Sequence, residues 1–591
     1  MPQKRSPISQ FWQELKRRRV VHVITVYASA AFVIIELINN LAEPLNLNPI
    51  LSTIMVVILA VGFPLAVILA WIYDLTPEGI EKTKSPEESD DEKKVVVPNA
   101  WRIATYVSFV VIAGLLTLNI VGGSKELRAG DIQSLVILPF DNFTGDENLE
   151  YFVSGMHASL IGDMGQLGGL QVKSRTSSSA FKGMDMTIPE IASELGVDAA
   201  LETAVMCLGD TICIQLRLVS TTGDEKQLWV ADYREERSQI LNLYNRITKQ
   251  IAEEVMVELS ADEKQRLDRI KSVDKEAYDA YLRSFELWKD PSKLDEAFEY
   301  LSQAMKKDPE WAPLYAGMAQ IWILRLQYGI VEPGVARQMV HENINRAFEL
   351  DPDFPDAYFV SGIISTWTEW NWEKGEKAFL KALTINPNDV MSRIYYAHLL
   401  ICLQRPDEAL TQGQLAVELD PLNPFILGLY SGVLRSTGQF QNALEYAERA
   451  RAIRPGSGDA EMKLALIGLG RYDEAFEYRK KILTVHFGEE GFQSFELIFR
   501  EEGYFAAEKE IVRQFELLAQ EKYVSTNTLA SRHYAIGEYS KALDDLEKGY
   551  ELHEPMLPYL AAGDNGFVNL YDSARFIDIV EKMNLPLPKT D

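Results

Sequence analysis

Cysteine is scarce in this sequence: three residues, Cys207, Cys213 and Cys402, in a chain of 591. That excludes a disulfide-built scaffold and a cysteine-rich zinc module. Histidine is hardly more common. The seven histidines (His22, His157, His341, His398, His486, His533 and His553) share no metal-ligand spacing. No HExxH, no GxSxG and no glycine-rich loop ending in lysine occurs. Paired acids such as Asp90-Asp91 and Asp544-Asp545 are coincidences in an acid-rich chain. The chain is therefore expected not to be an enzyme, with no catalytic residues, no metal and no cofactor. Basic charge is short as well. Lys and Arg number 59 against 86 Asp and Glu, a formal net charge of -27. Nucleic-acid binding needs clustered positive charge, so no nucleic-acid partner is expected.

What is present begins with a compact basic knot, Lys16-Arg17-Arg18-Arg19, followed at once by apolar sequence. Val20 to Ala42 has only His22, Glu36, Asn39 and Asn40 as strongly polar interruptions; Ile50 to Tyr73 and Ile103 to Val121 carry no charge. Each run is long enough to cross a bilayer core of about 30 Å, which takes roughly 20 helical residues. Three transmembrane helices are therefore expected within 21–122, with a charged cytoplasmic linker at 74–102 and a basic cytoplasmic stub at 1–20. Trp71, Tyr73 and Trp101 read as interface anchors. Lys16, Arg17, Arg18 and Arg19 act as topology determinants under the positive-inside rule, which sends everything after the third span outwards. Glu36 is a candidate intramembrane polar site, with snorkelling to the interface as the plain alternative. Ala28 to Ala31 offer a small-residue patch for self-association, so a homo-oligomer is one candidate state.

Residues 131–260 change character. Apolar strand patterns at 132–143, 170–173, 198–208, 211–219 and 227–233 alternate with helical patterns at 151–167, 188–195 and 238–259, which spells a small α/β domain. Cys207 and Cys213 fall on the two strands of a hairpin turning at Gly209-Asp210. A disulfide and a pair of half-buried thiols are both compatible with that placement.

A resemblance runs through this stretch. Ser134-Leu135-Val136-Ile137-Leu138-Pro139-Phe140-Asp141-Asn142, Tyr151-Phe152 with Gly155-Met156, Arg175-Thr176-Ser177-Ser178 with Phe181-Lys182-Gly183, Glu190-Ile191 with Leu195-Gly196-Val197-Asp198, and Leu228-Trp229 together resemble the TolB-like amino-terminal module. That module occurs in bacterial membrane proteins ahead of tetratricopeptide (TPR) repeats. Glu14-Leu15-Lys16-Arg17-Arg18, Phe63-Pro64, Trp71 and Leu75-Thr76-Pro77-Glu78-Gly79 resemble the membrane lead-in of the same proteins. The resemblance implies an extracytoplasmic α/β domain. Members often carry a cyclase or a DNA-binding effector on the cytoplasmic side; only ten residues precede Phe11, so neither is expected here. The chain also departs from the family where Leu201-Glu202-Thr203-Ala204 replaces the usual Leu-Glu-Gly-Ser.

After a linker at 261–276 the sequence repeats itself. Asp308-Pro309, Asp351-Pro352, Asn386-Pro387, Asp420-Pro421 and Arg454-Pro455 stand 43, 35, 34 and 34 residues apart. A 34-residue period is the TPR signature. Ala297, Ala304 and Pro309 are spaced seven and five apart, and Ala409, Ala416, Pro421 and Ala443, Ala450, Pro455 repeat that spacing. Small residues let paired helices approach, and proline ends the second helix of each pair. The 43-residue interval implies an insertion within 322–335. Residues 277–591 are thus expected to form an all-α solenoid of about eight helical pairs with a C-terminal cap. Trp367, Trp370 and Trp372 cluster in one turn and are candidate partner-binding residues, with plain packing as the alternative.

The expected architecture is accordingly multidomain: a three-helix transmembrane region, a small TolB-like α/β domain and a TPR solenoid. The expected function is a membrane-anchored scaffold, holding protein or peptide partners on the extracytoplasmic side of a bacterial inner membrane with its C-terminal domains in the periplasm. The alternative is a non-enzymatic transmembrane sensor acting on a separate cytoplasmic or intramembrane partner.

Overall fold

A computed structural model describes residues 132–591 except 222–225, 270–271, 329, 563–566 and 588–591; of the first 131 it describes Tyr27, Ala30, Ala31, Leu59, Gly62, Phe63 and two short strands. The chain divides into two compact units, Met1–Gly123 and Ser124–Asp591.

In the first unit, β1 (Tyr73–Thr76) pairs antiparallel with β2 (Gly79–Lys82). The Tyr27 hydroxyl donates to the Leu59 carbonyl at 2.8 Å, and its ring meets Phe63 edge-on. The basic knot Lys16 to Arg19, Glu36 and nearly all of the three apolar runs lie outside the described residues.

Among the described residues, no helix is long and apolar enough to cross a membrane. The longest of them, Lys480–Glu502, is broken at Gly488 and carries charge along its length, from Lys480 to Glu489, Glu490, Glu496 and Arg500. This corrects three expectations: the three-helix transmembrane region in the fold class, the membrane-anchored scaffold with its transmembrane-sensor alternative, and the inner-membrane location with periplasmic C-terminal domains. The fold described is a mixed β-sheet module joined to an array of helical pairs.

The sheet module holds β3 (Ser134–Ile137), β4 (Asp141–Asn142), β5 (Gln171–Val172), β6 (Ala199–Leu208), β7 (Thr211–Ser220) and β8 (Lys226–Glu236). Their order is β5-β3-β6-β7-β8, with β4 also on β6; β5, β3, β4 and β6 run parallel, and β6-β7-β8 form an antiparallel meander. Helices α1 (Glu150–Met164) and α4 (Ile240–Glu254) cover one face, burying Phe152, Met156, Leu160, Leu243, Tyr244 and Ile247 against Leu135, Leu201 and Leu216. The short α2 (Arg175–Ser179) follows β5, and α3 (Ile188–Leu195) covers the other face through Ile191 and Leu195. A capping box starts α3: Thr187 and Glu190 satisfy each other's backbone N–H groups, and Gly196 at φ 62° ends it. A short helix, α5 (Ala261–Asp268), leads to the array.

The array begins with α6 (Lys275–Leu287) and α7 (Leu294–Lys307). Four more pairs follow: α8 (Ala312–Gln327) with α9 (Pro333–Leu350), α10 (Pro355–Trp367) with α11 (Trp372–Ile385), α12 (Val390–Cys402) with α13 (Pro406–Leu419), and α14 (Pro424–Ser436) with α15 (Phe440–Ile453). The sixth pair starts with α16 (Asp459–Gly468) and α17 (Tyr472–Glu477). Helix α18 (Lys480–Glu502) is split by Gly488 at φ 73°, so its halves serve two successive pairs. Then come α19 (Tyr504–Glu521), the pair α20 (Thr526–Ala535) and α21 (Tyr539–Leu552), and the terminal α22 (Ala574–Lys582). The small residues at the repeat spacing, Ala297, Ala304, Ala409, Ala416, Ala443 and Ala450, are all fully buried where paired helices touch. The 43-residue interval is not a loop insertion alone. Helices α8 and α9 have 16 and 18 residues where α12 and α13 have 13 and 14, so most of the extra length extends both helices.

Module and array share one body. The Asn388 amide donates to the carbonyls of Gly165 and Leu170, both at 2.9 Å, and its oxygen accepts from Val172 N–H at 3.0 Å. Asp420 accepts from the Ser177 hydroxyl at 2.6 Å and its N–H at 3.1 Å, and Lys173 Nζ donates to the Glu418 carbonyl at 2.7 Å. Arg269 reaches Asp351 and Asp353, each at 3.2 Å. Residues of the proline turns therefore do a second job: they present polar groups that hold the edge of the sheet. Near the start of the array, α6 packs on α1 so closely that a Cβ at Gly155 would lie 2.7 Å from Leu282.

Candidate protein-binding groove

Within the array, first helices of successive pairs pack on one another, α8 on α10, α10 on α12, α12 on α14 and α14 on α16. That closeness sets them on the inside of the curve, and their side chains line the inner face. The middle of this face is not bare: it holds the C-terminal segment of the same chain.

Three side chains of the array take backbone groups of that segment or grip its rings. Trp372, at the start of α11 and 8 % exposed, donates from Nε1 to the Met583 carbonyl at 2.9 Å. Gln404, in left-handed geometry at φ 54°, donates to the Pro586 carbonyl at 2.9 Å. Trp370, also left-handed at φ 53°, stacks flat on His553 with ring centroids 4.3 Å apart. Trp367 is buried between Phe379 and Tyr395 and makes an edge contact with each. The tryptophan cluster thus lies where the array meets its own C-terminus.

His398 on α12 shows how the face is polar without being charged. Its Nε2 donates to the Leu429 carbonyl at 3.0 Å, leaving Nδ1 to accept from the Tyr559 hydroxyl at 3.1 Å. Burial pulls its pKa down to about 4, so the ring is neutral near pH 7. Burial likewise drives the Cys402 thiol well above its ordinary range, which leaves it inert.

Further along, Glu508 on α19, 1 % exposed, lies 2.6 Å from the Arg479 guanidinium, which also donates to the Tyr504 hydroxyl at 2.7 Å. Glu516, His533 and Glu538 bring possible ligand atoms within 4.8 Å of one another. That space has a cation already: Lys541 Nζ stands 2.8 Å from Glu516 and 2.9 Å from Glu538. His533 is bracketed by Asp545 at 2.6 Å and Glu516 at 3.1 Å, and the Asp545 hydrogen bond raises its pKa.

In the sheet module, Cys207 and Cys213 face each other across β6 and β7 and are joined as a disulfide. Ser177 and Ser178, within the Arg175-Thr176-Ser177-Ser178 stretch, are buried. Ser178 Oγ lies 3.4 Å from His157 Nε2, but that nitrogen donates to the Ile137 carbonyl at 2.8 Å and cannot also take a proton from serine. The pair is structural.

Sequence reasoning missed the C-terminal segment as an occupant of the inner face, and it missed the buried pair of Arg479 and Glu508.

No protein-family profile matches the chain. Among curated proteins it is similar to putative adenylate cyclase 3 of Rhizobium meliloti (29% identical over 239 residues, 40% of this chain and 40% of that protein). It is also similar to anaphase-promoting complex subunit 3 of Schizosaccharomyces pombe (29% over 134 residues, 22% and 20%) and to the transcriptional regulator HilA of Salmonella typhimurium (27% over 131 residues, 22% and 24%). The chain therefore spans two fifths or less of the length of these relatives. Among solved structures it is similar to PilW, a type IV pilus biogenesis factor, with 16% identity and a TM-score of 0.31 over 38% of this chain and 99% of that one. The TPR protein TTC0263 of Thermus thermophilus gives 16% and 0.27 over 34% and 99%; the TPR protein YrrB gives 19% and 0.24 over 36% and 98%. The TPR-like reading of the array rests on its 34-residue period and on the helical pairs that follow it. None of these comparisons supports the TolB-like membrane family read from the sequence, and that resemblance is corrected to a TPR-like array with a small mixed sheet.

Proposed function

We propose that this chain is a non-catalytic protein-binding module that grips a partner segment on the inner face of its helical array. One observation carries the reading: the array already holds an irregular segment of polypeptide, through side-chain donors on Trp372 and Gln404, at the turns between paired helices, that take main-chain carbonyls. Contacts of that kind recognise a backbone rather than one side chain, which suits a surface that grips extended segments. Trp367, Trp370 and Trp372 are the anchors of this gripping surface, with the chain's own C-terminus as their present occupant. The partner takes the part of the face beyond that segment, towards α16 and α20. Site-specific photo-crosslinking in cells tests this. A photoreactive residue at Lys463, on a first helix, is expected to capture a discrete partner, and one at Glu445, on the second helix α15, is not. Equal capture from both positions, or none from Lys463, would overturn the reading.

A further inference from the structure

The two edges of the sheet are treated differently. At the β5 edge, Asn388 of the array accepts from Val172 N–H and donates to the Leu170 carbonyl. At the other edge, no strand among the described residues pairs with the outer side of β8. Exposure shows what is missing there. The inner strand β7 buries Leu216 and Leu218 completely. Not one of the eleven residues of β8 is buried. Trp229, Ala231 and Tyr233 stand opposite Leu218, Leu216 and Ile214 and share their face, yet they are only half-covered. On the opposite face Val230 is 41 % exposed. Proteins blunt a bare edge with proline, with lysines or with a bulge that twists it away. β8 has no proline, and its one lysine, Lys226, lies beyond a register shift between Gln227 and Trp229. From Trp229 to Glu236 the register is unbroken, so this stretch of the edge is regular and open.

The charges along that stretch fit a copy of itself. A strand pairs antiparallel with its own copy about a two-fold axis normal to the sheet. Residues directly opposite then share a face, so the axis passes through a residue and not between two. Two centres make the fullest use of Trp229 to Glu236: Asp232 and Tyr233. Centring on Asp232 sets two like carboxylates face to face, which is unfavourable. Centring on Tyr233 sets Asp232 of each copy opposite Arg234 of the other, so an opposite-charge pair forms twice. Both side chains are exposed, and Gln215 takes only one oxygen of Asp232, at 2.9 Å. Glu235, which would face Ala231, is already paired with Arg246.

We propose that β8 pairs antiparallel with β8 of a second copy of this chain, centred on Tyr233, to make one continuous sheet across a two-fold dimer. The pairing does not rest on the protein-binding reading above.

Sedimentation of the full chain over a concentration series tests it. The natural chain is expected to pass from monomer to dimer. Asp232→Arg sets arginine against Arg234 of the copy and is expected to weaken dimerisation by about tenfold or more. Combining Asp232→Arg with Arg234→Asp exchanges the two charges and is expected to restore it, which separates lost pairing from misfolding. A natural chain that stays monomeric throughout would overturn the proposal and leave the edge to an extended segment of another protein. Equally tight dimers of the Asp232→Arg chain, or no rescue by the exchange, would overturn it too. Single cysteines fix the register, in a chain with Cys207 and Cys213 replaced by serine. Opposed Cα atoms of an antiparallel pair lie about 4.5–5.5 Å apart, within disulfide reach. With a mild oxidant Tyr233→Cys is expected to give a covalent dimer, and Asp232→Cys, whose copies are diagonal to each other, is not. Crosslinking through residue 232, or through neither, refutes the pairing.

Discussion

The indole of Trp372 donates to the main-chain carbonyl of Met583, 211 residues later in the chain and 2.9 Å away. This contact closes the array on itself. Trp372→Phe keeps most of the ring packing and removes the donor, leaving a buried carbonyl unpaired, which costs about 1–3 kcal/mol. Urea unfolding is expected to show that loss, and limited proteolysis a new early cut between 553 and 573. An unchanged midpoint with an unchanged cleavage pattern would show that the C-terminus is held by other contacts.

Asn388 is the comparable pin between array and sheet. Its amide serves four backbone groups beside the β5 edge at once: the Gly165, Leu167 and Leu170 carbonyls and the Val172 N–H. Asn388→Leu keeps the volume and abandons all four, a loss of about 2 kcal/mol or more once water has taken some of them. Hydrogen exchange is the sharper measurement. The amide of Val172 is expected to exchange much faster in the variant, with the amides of β6 and β7 little changed. Uniform acceleration across the sheet would mean that Asn388 stabilises the whole body instead.

The helical pairs were readable because their spacing is set by local sterics. Ala409, Ala416 and Pro421 sit where helices must touch and where one must stop, and no distant residue is needed to interpret them. The sheet was readable for the same reason, through alternation along β6 and β7. The three apolar runs were another matter. A run of apolar residues reports what must be covered and is silent on what covers it, and the bilayer assigned to them finds no support in the described helices. The candidate groove was mostly hidden. Trp367 to Trp372 stood out as a cluster, but their occupant lies some two hundred residues away. Arg479 and Glu508 meet only when helices of successive pairs stack, and no local pattern announces that.

Three histidines give opposing pH dependences. His157 and His398 are held at about 4, His157 by burial first and then by the Arg175 and Lys182 charges, and His398 by burial and then Arg435. The unfolded reference is about 6.5. Above that value both states are neutral and these residues contribute no slope. As pH falls below it, the unfolded chain takes up protons that the folded chain refuses, so stability drops towards pH 4 by roughly 1.4 kcal/mol per unit for each residue. His533 works the other way. Its folded pKa is raised by Asp545 and then Glu516, so its contribution is complete below the unfolded value and is lost as pH rises through the folded one. His157→Asn is expected to flatten the acid limb of a stability-pH curve, and His533→Asn the limb above the unfolded value of about 6.5. Parallel curves for variants and natural chain would refute these assignments.

The disulfide makes the last prediction the simplest to read. Cys207 and Cys213 occupy directly opposed positions on β6 and β7 and are bonded, whereas Cys402 is a buried free thiol on α12. Chain purified without reductant and unfolded in guanidinium should therefore show one reactive thiol, rising to three after reduction. The folded chain should show none on the timescale of the assay, since Cys402 becomes accessible only on opening. The bond closes a loop with a sequence separation of only 6. On the loop-entropy argument, so short a loop gives about 2 kcal/mol. Cys207→Ser is accordingly expected to lower stability by no more than that and to leave the array intact. Three thiols before reduction would mean that the hairpin stands on its hydrogen-bond ladder alone, and the same substitution would then cost almost nothing.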